Sequence, residues 1–188
     1  MFYILASFDP SHRHLLYNVF IYNALNNLSL SILPPETLPS DAPELQWTHL
    51  NVDGAVSVPL NDGRIGGLIR NQNGGWVVGF VKAIGHLNTL QVELWALFEG
   101  MLLAWKYGFD SLLVCSDCKQ AAVELVNSPL AGSSVLSLVC AIHQLRQKHW
   151  ATKVLWVPKD DNRCVDALAK LVDPSDFSLH VYNSPPSG

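Results

Sequence analysis

The sequence predicts an α/β domain in which one mixed sheet carries helices on its faces. Two observations lead there. Three segments with strand periodicity follow one another between residues 48 and 84, joined by short turns. Helical and strand periods then alternate as far as residue 171. A meander followed by alternating helix and strand is the signature of a single mixed sheet, antiparallel in its first part and parallel in its second.

The first strand is predicted over Thr48–Val58, where Leu50 and Val52 alternate with polar residues and Gly54 suggests a bend. Asn61-Asp62-Gly63 is a turn, and Arg64–Arg70 the second strand. Asn71–Gly75, rich in Asn and Gly, is a hairpin loop leading into the third strand, Trp76–Ile84. The period changes at Thr89–Tyr107, where Leu90, Leu94, Leu97, Met101 and Ala104 or Trp105 recur at helical spacing. Thr89 is the expected N-cap of this helix and Gly108 its C-cap. Ser111–Cys115 is a short apolar run of the kind found in buried central strands. Further helices are predicted over Cys118–Asn127 and Ser134–Trp150, with a loop between them at Pro129–Ser134. Thr152–Val157 is the fifth strand, and Asp160–Leu171 the last helix.

Residues 1–45 read differently. A weak helical pattern between Leu15 and Leu33 is diluted by Asn23, Asn26 and Asn27, and Pro34, Pro35, Pro39 and Pro43 follow. The expected organisation is a weakly structured extension with a Pro-rich linker (1–45), a folded domain (46–172), and a flexible tail (173–188) with little to hold it.

The 188 residues suffice for one domain with a substantial core, and 49% hydrophobic against 15% charged residues excludes a disordered chain. No apolar run is long enough for a transmembrane helix, and no signal peptide is evident, so an intracellular protein, nuclear or cytoplasmic, is expected. Cys115, Cys118, Cys140 and Cys164 are then expected as free thiols. The net charge of −4 is not that of a strong nucleic-acid binder, so such contact would rely on a local patch, a metal or a partner. A monomer is the default expectation.

Four acidic residues stand in apolar, structured surroundings. Asp53 lies inside a strand, where Asp is depleted. Glu93 lies near the start of the long helix among apolar neighbours. Asp117 follows the buried strand, at the end where ligands gather in open α/β sheets. Asp166 lies in the last helix. Each has a plainer explanation: a turn residue at Asp53, a helix-dipole partner at Glu93, a cap at Asp117, an exposed helix residue at Asp166. Brought together, they would instead form an all-oxygen site for hard divalent cations such as Mg²⁺. Two such ions about 3.5–4 Å apart can clamp the attacking and leaving oxygens of a phosphodiester.

Four blocks carry a resemblance that covers about two thirds of the chain: Leu-Asn-Val-Asp-Gly-Ala (50–55), Gln-Val-Glu-Leu-Trp-Ala-Leu (91–97), Val-Cys-Ser-Asp-Cys (114–118) and Asn-Arg-Cys-Val-Asp-Ala-Leu-Ala-Lys (162–170). In type and order they resemble the ribonuclease H-like domain of plant proteins related to retrotransposon reverse transcriptases. The resemblance implies a five-stranded mixed sheet, a three-strand antiparallel meander plus two parallel strands, with helices on both faces. It implies cleavage of the RNA strand of an RNA–DNA hybrid by two Mg²⁺ ions, or Mn²⁺ in their place. Asp53, Glu93, Asp117 and Asp166 match the family's catalytic, metal-binding acids, and Glu93 would also help position the attacking water. Gly54, Ala55, Thr89 and Gln91 lie where the family contacts the hybrid, and Asn162 matches an Asn that holds the outer part of the site. The cellular enzymes carry a His in the loop before the last helix. Here Val157-Pro158-Lys159-Asp160-Asp161 has none, which would slow turnover more than it would abolish metal binding. A domesticated, non-catalytic domain that binds nucleic acid or a protein partner is the alternative.

Other signals are weaker. Cys115-x-x-Cys118 has its first thiol at the end of a buried strand, not at a helix N-terminus, and there is no second Cys pair for zinc. Cys140 is expected in the core, as are Trp76, Trp95, Trp105 and Trp156, and His86 and His143 at the surface or as satisfied core residues. Trp47 is placed to pack the linker on the domain.

Overall fold

The computed structural model describes residues 46–57, 62–119, 126–127 and 136–186. The expected extension at 1–45, most of the helix predicted over Cys118–Asn127 and the loop at Pro129–Ser134 lie outside the described residues.

The strands are β1 (Thr48–Ser57), β2 (Asp62–Arg70), β3 (Trp76–His86), β4 (Ser111–Ser116), β5 (Ala151–Trp156) and β6 (His180–Tyr182). The helices bounded within the described residues are α1 (Thr89–Lys106), α2 (Leu136–Arg146) and α3 (Arg163–Ala169), the last entered through a single 3₁₀ turn at Lys159–Asn162. The sheet order is β5-β4-β1-β2-β3-β6. β1, β2 and β3 form the expected antiparallel meander, and β4 and β5 add in parallel on the other side of β1.

Several expectations need correction. The sheet has six strands, because residues expected to be a flexible tail supply β6, which pairs antiparallel with β3 through Gly79↔Tyr182 and Val81↔His180. β1 shows no break at Gly54; its register with β2 runs without interruption from His49↔Arg70 to Ser57↔Asp62. The N-cap of α1 is Asn88, not Thr89. The Asn88 side chain accepts the Gln91 N–H at 2.9 Å, and the Gln91 side chain accepts the Asn88 N–H at 3.2 Å, a reciprocal capping box. The helix ends on Tyr107, and Gly108 takes the left-handed position just beyond it at φ 76°.

α1 is buried nearly all round, from Val92 through Met101 and again at Leu103 and Ala104. A helix apolar on every side belongs in the interior, not on a half-exposed face. It lies against one face of the sheet, where Leu50, Val52, Leu94, Leu97 and Met101 are fully buried, each worth about 1.5–3 kcal/mol. Inside this interface Glu99 is neutralised by Lys82 of β3. On the other face α3 packs Val165 and Leu168 against Leu68, Val81 and Ala83, with Phe177 and Tyr182 closing the edge of that layer.

Two glycines set how closely α1 approaches β1. A Cβ on Gly100 would lie 2.9 Å from Val52 Cγ1, and one on Gly54 would lie 2.8 Å from Val92 Cγ1 and 2.9 Å from the Glu93 backbone nitrogen. Gly54→Ala is therefore expected to cost about 1–3 kcal/mol by overpacking. A denaturant midpoint equal to the natural protein's would show that the contact relaxes freely.

Cys140 and Trp156 also depart from expectation. Cys140 is exposed on α2, and Trp156 is 47% exposed at the end of the edge strand β5. Trp95 is buried, whereas Trp76 and Trp105 are half-buried. His86 is exposed and pairs with Asp62 at 3.1 Å. His143, by contrast, keeps a buried Nε2 without a partner. Trp47 lies under the Lys153 ammonium, 4.7 Å from the ring centroid. Among the described residues, no helix is long and apolar enough to cross a membrane.

Candidate metal centre

The site forms where β4 parts from β1. Their parallel ladder runs from Thr48↔Leu112 to Asn51↔Cys115 and then stops. Extending the same register places Asp53 opposite Asp117, just past the end of β4. Beyond Asn51, the edge of β1 that faced β4 has backbone groups without a ladder partner, and buried groups of that kind must be satisfied elsewhere. Two side chains do this. The Asn162 amide, at the end of the 3₁₀ turn, donates to the Val52 carbonyl at 2.8 Å. The Glu93 carboxylate, arriving from α1, accepts the Gly54 N–H. Splitting the sheet thus draws functional groups into the gap.

Asp53, Glu93 and Asp117 converge there, each offering an oxygen within 4.8 Å of the others. Asp53 and Glu93 are buried, at 5% and 6% exposure. Burial, reinforced by the charges of Asp117 and Asp166, pushes the Asp53 carboxyl up to about 6. Burial, with the charges of Asp53 and Asp117, pushes Glu93 up to about 8. The Lys159 ammonium acts on both in the opposite sense. Glu93 stands beyond the first turn of α1, which holds no acidic residue, so a helix-dipole role does not account for it. Its Oε2 is buried with no hydrogen-bond partner. Three converging carboxylates, two of them raised and one with an orphaned oxygen, fit a hard divalent cation that would supply the missing partner and the missing charge.

The fourth acid stands apart. Asp166, on α3, is half-buried and bonds Lys170 one turn on at 2.7 Å. It lies outside the convergent triad but is near enough for its charge to raise Asp53. Asp117 accepts the Asn162 amide on its carboxylate at 3.1 Å, and its backbone oxygen accepts the Trp156 indole N–H at 3.0 Å. Beside it, the Cys118 N–H is taken by the Ser116 hydroxyl at 3.1 Å.

The expected substrate contacts divide. Gly54 and the half-buried Ala55 lie on β1 beside the site, and Gly54 touches the first turns of α1. Thr89 is exposed at the start of α1, whereas the Gln91 side chain is engaged in the capping box. Asn162 is only 2% exposed, and its amide is taken up by Asn51, Val52 and Asp117, so its place is to hold the site together. Sequence reasoning missed Asn51 as part of the site. Asn51 could have been found, because period two puts it on the same strand face as Asp53. The Cys115 thiol is pushed up by burial, which removes the reactive-thiolate reading of Cys115-x-x-Cys118.

The sheet order, the helix on each face and the acidic triad define a ribonuclease H-type fold with a candidate metal centre. Solved structures share the fold. The N-terminal RNase H domain of Rv2228c from Mycobacterium tuberculosis superposes with a TM-score of 0.61 at 20% identity, covering 66% of this chain and 91% of that one. RNase H1 from the archaeon Halobacterium salinarum gives 0.54 at 23% identity, covering 65% and 94%. LC11-RNase H1, solved in complex with an RNA/DNA hybrid, gives 0.60 at 14% identity, covering 66% and 94%. In sequence, the Arabidopsis thaliana protein "Putative ribonuclease H protein At1g65750" is 28% identical over 146 residues, which are 77% of this chain but only 23% of that protein. The Reverse transcriptase-like family model matches residues 51–172. The chain belongs to this family.

Proposed function

We propose that the domain is a divalent-metal-dependent endoribonuclease that cuts the RNA strand of RNA–DNA hybrids. The observation that carries this reading is the convergence of Asp53, Glu93 and Asp117 at the split edge of a ribonuclease H-type sheet. The hybrid bound by LC11-RNase H1, a structural neighbour, supports that substrate.

Asp53, Glu93 and Asp117 would hold Mg²⁺ or Mn²⁺, with Asp166 completing a two-ion site from the rim. The ions would lower the pKa of the attacking water and take up charge on the leaving oxygen. The chain's own groups do the rest. The Gly54 N–H holds the Glu93 carboxylate, whose Oε2 is buried without a hydrogen-bond partner of its own. Asn162 keeps one Asp117 oxygen engaged. Gly54 and Ala55 offer a close backbone approach to the hybrid, and Thr89 an exposed hydroxyl at the positive end of α1, suited to a phosphate. Lys159 offers a cation near the carboxylates.

The test is cleavage of end-labelled RNA–DNA hybrid, double-stranded RNA and single-stranded RNA, each with Mg²⁺, Mn²⁺ or EDTA. Metal-dependent cutting of the hybrid alone is expected. Cutting of double-stranded RNA at an equal rate would replace the proposed substrate. A second reading, a binding domain without catalysis, is favoured by the loop at Val157–Asp161, which has no imidazole to carry protons. Binding of Mn²⁺ and hybrid without cleavage would establish it.

A further inference from the structure

The buried side of Asp117 leads to a residue with no assigned role. Asn51 is 8% exposed in the middle of the sheet, where a polar amide is costly unless hydrogen-bonded and where β1 otherwise places Leu50 and Val52. Its Nδ2 donates to Asn162 Oδ1 at 3.1 Å. Asn162 Nδ2 in turn donates to the Val52 carbonyl at 2.8 Å and to Asp117 Oδ1 at 3.1 Å. On its other side, Asn51 Oδ1 accepts from Arg70 Nη1 at 3.4 Å. Arg70 sits diagonally across from Asn51 on β2, two residues beyond its direct partner Leu68.

This chain of amides has a direction. A primary amide offers two donors and one acceptor oxygen. Val52 O and the Asp117 carboxylate can only accept, so both Asn162 donors are spent on them. The oxygen of Asn162 then needs a donor, and Asn51 supplies it. Arg70 can only donate, which turns the Asn51 oxygen toward itself and the Asn51 amino group toward Asn162. Each link fixes the rotation of the next, from a half-buried cation to a carboxylate of the candidate metal centre.

We propose that Asn51 is a positioning residue that orients the Asp117 carboxylate for metal through Asn162. The inference rests on the metal-centre reading given above. It makes Asn51 part of the binding machinery although it reaches neither metal nor substrate. Replacing it leaves Asn162 free to turn, and Asp117 loses the donor that holds one of its oxygens in place.

Mn²⁺ binding to the full chain, followed by electron paramagnetic resonance, tests this without relying on activity. The natural protein, Asn51→Leu, Asn162→Leu and the double variant are titrated, and near-ultraviolet circular dichroism and Tm are recorded for each. Asn51→Leu is expected to weaken Mn²⁺ binding by about tenfold or more, the usual loss when an outer partner of a ligand is removed. The double variant is expected to bind no more weakly than Asn162→Leu alone, because both act on one carboxylate. Should Asn51→Leu fail to fold, Asn51→Ser keeps a small polar side chain and is expected to show the same loss of affinity. A folded Asn51 variant with the natural Mn²⁺ affinity, whatever its Tm, overturns the proposal, as do losses that multiply in the double variant. These results leave the metal centre intact as a reading. Failure of the natural protein itself to bind Mn²⁺ would instead bring down the metal centre and the positioning role together.

Discussion

Asp53→Asn is expected to reduce metal-dependent cleavage of an RNA–DNA hybrid by on the order of a thousandfold or more, the scale seen when one member of a catalytic unit is removed. Asp53 is the best choice because it is the most central of the acids. It belongs to β1, which pairs with β2 from His49 to Ser57 and with β4 as far as Asn51. It is also raised by the charges of both Asp117 and Asp166. The substitution keeps the shape of the side chain and removes a charge, so the fold is expected to persist. Asp166→Asn is expected to have a smaller effect on metal affinity, since Asp166 stands outside the convergent triad and is already paired with Lys170. Equal and small losses in cleavage for the two variants would mean that the carboxylates do not act as a unit.

The same crowding of charge is expected to make the metal-free protein less stable as pH rises. Asp53 is raised from 3.8 to about 6 and Glu93 from 4.5 to about 8. Between about pH 4 and pH 8 the folded protein therefore holds protons that the unfolded chain has released. Stability falls with pH wherever the native state binds more protons. The loss is absent below the unfolded-state values, grows through the window, and is complete above about 8. A tenfold weaker acid in the folded state corresponds to about 1.4 kcal/mol, so the two carboxyls together amount to several kcal/mol. Tm measured in EDTA is expected to drop by on the order of 10 °C between about pH 5 and pH 8.5. Saturating Mg²⁺ or Mn²⁺ should restore most of it, and by more at the higher pH, where the site is fully ionised. Asp53→Asn should flatten the profile, which separates this effect from the titration of histidines elsewhere. A natural protein and variant with parallel profiles would mean that the carboxylates are separately solvated.

The strands of the meander, α1, β4 and β5 were legible because each carries a long or strongly apolar pattern of its own. β6 was not. His180-Val181-Tyr182 is too short to show a period, and it is a strand only because β3 offers an edge to pair with. The cap of α1 was misplaced by one residue. Asn88 and Thr89 are both capping types, and the deciding partner, Gln91, lies three residues after Asn88. The acids were legible as charges out of place, most plainly Asp53 inside a strand. Their separation into a buried triad and a rim residue was not, because it depends on where β4 leaves β1. Trp156 illustrates the same limit. Its indole reaches the Asp117 carbonyl, while its ring stays half exposed at the end of β5, the edge strand among the described residues.

β6 has a consequence for how far the domain extends. Without it, β3 would present open N–H and C=O groups along Gly79–Val81, a template on which a second chain could pair. The Trp76 indole, which now donates to the Tyr182 carbonyl at 3.1 Å, would lose that partner, and the apolar layer under Phe177 and Tyr182 would lose its cover. The last segment is thus a hem that guards the sheet against self-association. A chain shortened to residue 172, where the family match ends, would keep every carboxylate of the candidate centre and still be the form more prone to aggregate.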